Sequence, residues 1–212
     1  MNFLPEEIEK YAEDFTSPES DVLKELNRET HSKIYMPQML SGHLQGAALK
    51  MFSKMIQPKR ILEIGTFTGY SALCLSKGLQ RGGKIHTIEL REEDAATARA
   101  YFEQSINKDK IVLHVGDAKQ IIPTLNEVWD IVFIDADKTG YIDYYELILP
   151  SVKQSGIIIA DNVLFHGQVL EHTISGKNAK AVDAFNEHVK NDKRVEQVLL
   201  TVRDGLLLIQ KL

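Results

Sequence analysis

The residues best able to do chemistry in this sequence are acids that close short β-branched runs. Ile134-Asp135-Ala136-Asp137-Lys138 ends one run and Ile159-Ala160-Asp161-Asn162 ends another. If those runs are neighbouring strands, their ends bring Asp135, Asp161 and Asn162 together. Three hard oxygen donors, with water or substrate oxygens completing the shell, suit Mg²⁺, Mn²⁺ or Ca²⁺, whereas zinc would want His or Cys. Without a cation the two carboxylates would repel each other in a partly dry cleft, and one would take up a proton. Lys138, three positions after Asp135, adds an amine to the group.

A second constellation lies upstream, in Ile61-Leu62-Glu63-Ile64-Gly65-Thr66-Phe67-Thr68-Gly69-Tyr70-Ser71. It reads as strand, tight turn and helix. Glycines at such a turn reach positive φ and let a ligand approach bare main chain, while the first N–H groups of the helix point at it. That suits a nucleotide-like ligand. The spacing is Gly-x-x-x-Gly, however, and a dinucleotide fingerprint needs Gly-x-Gly-x-x-Gly, so the phosphate-binding reading fails at Phe67. Glu89 ends the next run, where a carboxylate can accept both ribose hydroxyls of an adenosine. Asp117, in Gly116-Asp117-Ala118, ends a third, where helix capping competes with ligand binding.

Hydrophobic periodicity supplies the elements that must position these residues. Strands are expected at 60–64, 84–89, 111–115, 130–134 and 156–160, alternating with helices from residue 70 and at 92–106, 119–125 and 141–152. Five parallel strands with helical crossovers make a doubly wound sheet covered on both faces. A helix at 178–190 then precedes strands at 195–202 and 206–210, joined at Asp204-Gly205, a two-residue hairpin signal. Residues 1–57 read as an N-terminal helical cap on the core at 58–212, the whole being one domain of 212 residues. Helices are expected at 5–15 and from 18, a loop at 33–42, and then a helix that buries Leu44, Ala47, Ala48, Met51 and Met55.

The balance of the composition excludes little but points one way. A formal net charge of -5 with 43% hydrophobic residues recommends no polyanionic partner. Cys74, the sole cysteine, lies in an apolar helix and reads as a buried structural thiol, which fits a reducing cytosol. No run approaches the roughly 18 apolar residues of a membrane span, and the start, Met1 to Glu7, lacks a signal peptide's basic and apolar regions. The expectation is a cytoplasmic protein without a membrane partner.

Taken together, Glu63-x-Gly65-x-x-x-Gly69-Tyr70-Ser71, Glu89 and the two acid clusters resemble class I S-adenosylmethionine (SAM) methyltransferases. The aromatic Phe67 in place of a middle glycine resembles the cation-dependent O-methyltransferases related to catechol and caffeoyl-CoA O-methyltransferase, and the closing antiparallel hairpin fits their Rossmann-like α/β fold. The resemblance covers about residues 35–212. It implies SAM and a divalent cation, Mg²⁺ first, as cofactors. Around SAM it puts Met39, Glu63, Gly65, Gly69, Tyr70, Ser71, Glu89, Asp117, Ala118 and Asp135, with Ser41 and Gly42 as further contacts. Asp135, Asp161 and Asn162 become the metal ligands, Lys138 the catalytic lysine, and Tyr141 a residue of the cofactor or acceptor side. The sequence departs from the pattern at Phe165-His166, where related bacterial enzymes have Trp and a small residue. His166 is thus an acceptor contact, a base or a surface-loop residue.

The implied reaction moves the methyl group of SAM to a phenolic hydroxyl, one of two adjacent hydroxyls chelated by the metal. Lys138 would take the proton, since a nearby cation and a dry site both lower an amine from its usual ~10.4. Acceptors in the family range from catechols to coenzyme A esters and hydroxylated tRNA bases. The sequence does not choose among them, although its acidic balance disfavours RNA. The Asp/Asn-Pro-Pro-aromatic signature of amino-methylating nucleic-acid enzymes is absent. Two other classes share part of the pattern. An NAD-dependent oxidoreductase would use the sheet and Glu89 but lacks the glycine fingerprint, and a non-catalytic SAM-binding protein would not need Asp135, Lys138, Asp161 and Asn162 together. One-sided apolar N-terminal helices predict a homodimer.

Overall fold

The computed structural model describes residues 5–212, so the first four positions of the segment read for a signal peptide, Met1 to Glu7, lie outside the described residues. The strands are β1 Arg60–Ile64, β2 Lys84–Glu89, β3 Ile111–Val115, β4 Trp129–Ile134, β5 Val152–Asp161, β6 Val195–Leu200 and β7 Leu206–Lys211. They form one sheet in the order β3-β2-β1-β4-β5-β7-β6. The first five are parallel, and β7 pairs antiparallel with both β5 and β6. The central strands read as unbroken apolar runs because both faces are covered. In β4, Ile131 and Phe133 enter one core while Val132 and Ile134 enter the other.

Helices α2 Asp21–Lys33, α3 Gly42–Ile56, α4 Tyr70–Leu75 and α5 Glu92–Glu103 cover the first face, through Leu23, Leu26, Leu49, Leu73 and Phe102. Helices α6 Ala118–Ile121, α7 Tyr141–Ile148 and α8 Lys177–Lys190 cover the second. The helical cap therefore shares a core with the sheet. Helix α1 Glu6–Asp14 contributes no buried residue. Among the described residues no helix is long and apolar enough to cross a membrane. Cys74 is buried as expected, and burial pushes its thiol up to about 12.

Three expectations about the elements are corrected. Helix α3 buries Gln45, Gly46, Leu49 and Ser53, whereas Met51 and Met55 are 54% and 70% exposed. Small residues decided this face: a Cβ on Gly46 would lie 2.5 Å from the Tyr70 ring and 2.9 Å from the Cys74 sulfur, so α3 packs on α4 as closely as bare backbone allows. Strand β5 begins at Val152 because a register shift opposite Trp129 and Ile131 absorbs the extra residues. The hairpin turn spans residues 201–205, with Arg203 at φ 49° and Gly205 at φ 86°, and is no two-residue turn.

From β1 the sheet grows one way through β2 and β3, and from β4 the other way through β5. Open α/β sheets bind ligands in the crevice at such a reversal, outside the carboxyl ends of the strands. Gly65 leaves β1 at this point with φ +99°, and a Cβ there would lie 1.9 Å from the Asp135 carbonyl oxygen. Backbone strain and steric overlap each cost about 1–3 kcal/mol. Gly65→Ala is accordingly expected to lower thermal midpoint by roughly 10 °C. Calorimetry of the variant checks this, and an unchanged midpoint would mean the turn is slacker than it looks.

Candidate active site

Main chain ties the strand ends together before any side chain acts. Asp135 N–H donates to Ile64 O at 2.9 Å, and the Gly65 and Thr66 N–H groups donate to Ile88 O at 3.0 and 3.2 Å. Glu63 is fully buried and accepts from the Thr87 hydroxyl. Burial raises its carboxyl to about 8, against the Ser71 and Thr87 hydroxyls, which favour the ionised form. Glu89 is 7% exposed rather than a solvated acid. Its Oε2 accepts the Phe67 N–H at 2.7 Å and its Oε1 the Arg91 N–H at 3.0 Å. Each oxygen keeps acceptor capacity for a ribose hydroxyl, and burial raises this carboxyl too.

The remaining cofactor-side residues divide. Gly69, at φ 92°, turns the chain into α4, and Ser71 is buried on that helix near Glu63. The Tyr70 hydroxyl donates to Glu19 Oε1 at 2.5 Å, which anchors the segment before α2. Asp117 does cap α6, its Oδ1 accepting the Lys119 N–H at 2.9 Å, and Ala118 is buried at the first helical position. Met39 closes a one-turn helix at Pro37–Met39 and is 44% exposed. The next residues of that loop are held by Arg203, whose guanidinium donates to Leu40 O at 2.7 Å and to Ser41 O.

The ends of β4 and β5 bring the acid cluster together as expected. Lys138 Nζ donates to Asp135 Oδ1 at 3.0 Å, to Asn162 Oδ1 at 2.8 Å and to the Tyr141 hydroxyl at 2.6 Å. Tyr141, fully buried, donates in turn to Asp161 O at 2.9 Å. Asp161 Oδ1 accepts the Asn162 N–H at 2.7 Å, and its Oδ2 accepts Gln45 Nε2 at 2.6 Å. Burial and the neighbouring Asp135 push the Asp161 carboxyl up to about 7. A positive group thus already sits on two of the three oxygen donors. The donor set, two carboxylates and an amide oxygen without His or Cys, fits a hard divalent cation.

Two opposing influences set the charge of the lysine. Burial does lower the Lys138 amine, but Tyr141, Asp135 and Asp161 outweigh it and hold the ammonium above its usual range. His166, at φ 56°, donates its N–H to Asp204 Oδ1 at 2.7 Å and leaves its side chain 56% exposed, as a surface-loop histidine does.

The sequence profile of the O-methyltransferase family matches residues 13–212. The chain belongs to this family. A probable caffeoyl-CoA O-methyltransferase 2 of Dictyostelium discoideum is 34% identical over 211 residues, covering 97% of this chain and 91% of that protein. A catechol O-methyltransferase of Niastella koreensis is 28% identical, covering 94% and 91%. Among solved structures, the SAH-bound methyltransferase PaMTH1 of Podospora anserina aligns with a TM-score of 0.90 at 30% identity, covering 100% of this chain and 99% of that one. An O-methyltransferase of Bacillus cereus in complex with SAH gives 0.90 at 27%, covering 97% of each. The protein is an O-methyltransferase that uses SAM, and the oxidoreductase and non-catalytic readings fall.

Two contributors to this O-methyltransferase site escaped the sequence reading, Gln45 and Arg203. A glutamine beside a glycine in a helix carries no local signal, because its partner Asp161 is 116 residues away in sequence. Glu63 offers a test of burial at the site. Its folded carboxyl holds a proton that the unfolded chain, near 4.5, has released. That contribution is full below the unfolded value and is lost as pH rises toward about 8, at up to about 1.4 kcal/mol per pH unit. Denaturant unfolding at pH 5.5 and 7.5 should show the wild type losing about 2 kcal/mol more than Glu63→Gln. Parallel losses would assign the proton elsewhere.

Proposed function

We propose that the protein transfers the methyl group of SAM to one hydroxyl of a vicinal dihydroxyphenyl acceptor, with a divalent cation held by Asp135, Asp161 and Asn162. The convergence of Asp135 and Asn162 oxygens on a buried ammonium, next in the chain to Asp161 and at the reversal that carries Gly65 and Glu89, is the observation that supports this most. In the transfer the S–CH₃ bond breaks and sulfur keeps its electron pair, the O–CH₃ bond forms, and the hydroxyl proton leaves to a base. A cation bound there would supply Lewis-acid charge that favours the ionised hydroxyl and fixes its direction. The chain's own residues do the rest. Glu63, the turn and Glu89 would hold the donor, Tyr141 fixes Lys138, and Lys138 would take that proton.

The relative named as a probable caffeoyl-CoA O-methyltransferase supports a coenzyme A ester as one form of the acceptor, since a caffeoyl ring carries adjacent hydroxyls. The net charge of -5 supports a small molecule over tRNA. Labelled SAM offered with catechol, caffeate and caffeoyl-CoA, with Mg²⁺ and then with excess chelator, tests the reading. Turnover that chelator abolishes and Mg²⁺ restores is expected, and turnover indifferent to chelator would remove the cation. The same reading includes a homodimer, supported by Ile8 and Tyr11 on α1, Phe15 just after it, and Met51 and Met55 on α3, all exposed. Sedimentation at the mass of one chain would overturn that part.

A further inference from the structure

Asp161 sits at the last position of β5, 3% exposed, with both carboxylate oxygens already directed. One is taken by the main chain of Asn162. The other accepts the side-chain amide of Gln45 at 2.6 Å, from a helix that belongs to the cap and not to the sheet. Gln45 is itself 1% exposed, so it touches neither solvent nor an acceptor. Its neighbour Gly46 explains why it reaches so far: α3 is seated against Tyr70 and Cys74 with no Cβ between, which leaves little play in its distance from the strand ends. An amide N–H can only donate. It therefore pairs with a carboxyl oxygen, fixes the rotation of that group, and compensates part of the loss of water.

We infer that Gln45 is a positioning residue for the cation site, fixing the rotation of the Asp161 carboxyl while the amide itself stays outside the ligand shell. This rests on the assignment of Asp135, Asp161 and Asn162 as cation ligands. It gives the N-terminal helices a part in the chemistry beyond covering the sheet, because the orienting donor enters from α3. Outer partners of this kind orient ligand groups and are worth about 10- to 100-fold in metal affinity.

The test uses Mn²⁺ alone, with affinity read from the free-ion paramagnetic resonance signal, on the wild type and on Gln45→Met. Methionine keeps the length and volume and removes the donor. Mn²⁺ is expected to bind the variant about 10- to 100-fold more weakly, with SAH affinity within twofold of wild type as the measure that the crevice is intact. Equal Mn²⁺ affinity in a variant that still binds SAH would overturn the role of Gln45 and leave the cation site standing. A wild type that binds no Mn²⁺ would overturn both. The Gln45 side-chain amide resonances of the unmodified protein give a second readout that needs no variant. They should be protected from solvent exchange and move on Mg²⁺ addition with the midpoint of binding, and resonances that stay fixed through saturation would also overturn the inference.

Discussion

Lys138→Ala is expected to lower methyl transfer by about 10²- to 10⁴-fold, the usual worth of a positioned proton-transfer group, while SAM affinity stays near that of the wild type. The reasoning is local. Lys138 Nζ has three partners, Asp135, Asn162 and Tyr141, and none of them belongs to the glycine turn or to Glu89. Its removal therefore strips the cation and acceptor side and leaves the glycine turn and Glu89 in place. Lys138→Arg separates two ways of acting. In the ligand-free protein the acids hold the amine charged, so a role as base requires that their charge be engaged elsewhere when acceptor is bound. Arginine keeps the charge and cannot give up its proton. If Arg is as inactive as Ala, Lys138 moves the proton. If Arg restores a substantial part of the rate, Lys138 acts by charge and orientation alone. Full activity in Lys138→Ala would remove the residue from the mechanism.

Asp135→Asn should abolish cation-dependent turnover and weaken Mn²⁺ binding on the order of a hundredfold or more, since even outer partners of a metal site are worth about 10- to 100-fold. The change is isosteric, and the main-chain bond from Asp135 N–H to Ile64 O is untouched, so the strand ends stay tied. It also removes one of the carboxylates that oppose the loss of a proton from Lys138. The variant should accordingly bind SAH, fold, and show residual turnover that no longer responds to chelator. Wild-type turnover and wild-type chelator sensitivity in Asp135→Asn would sink the assignment of that carboxylate.

The reaction class was legible in the sequence because its carriers are local. A strand that ends in Glu63-Ile64-Gly65 and a helix that opens after Gly69 are neighbours in the chain, and the turn between them needs positive φ at both glycines, which the structure shows. The acids that end β2, β4 and β5 follow from strand boundaries, and parallel pairing alone then brings Asp135, Asp161 and Asn162 side by side. What failed depended on which face a helix turned. Met51 and Met55 fit an apolar stripe by spacing, yet Gly46 and Ser53 pack more closely, and close packing decided the rotation of α3. For Tyr70 the motif position was legible, whereas the partner of its hydroxyl, Glu19 of the cap, was not.

By itself, then, the sequence determined the alternation of strand and helix, the glycine turn and the set of chemical groups at the strand ends, since each depends on residues within a few positions of one another. Only the tertiary structure decided the charge of Lys138, the aim of Asp161 through Gln45 and the clamp of Arg203 on the Leu40–Ser41 main chain. Those depend on burial and on partners more than a hundred residues apart in the last two cases, and no local pattern encodes which distant donor will meet a buried oxygen.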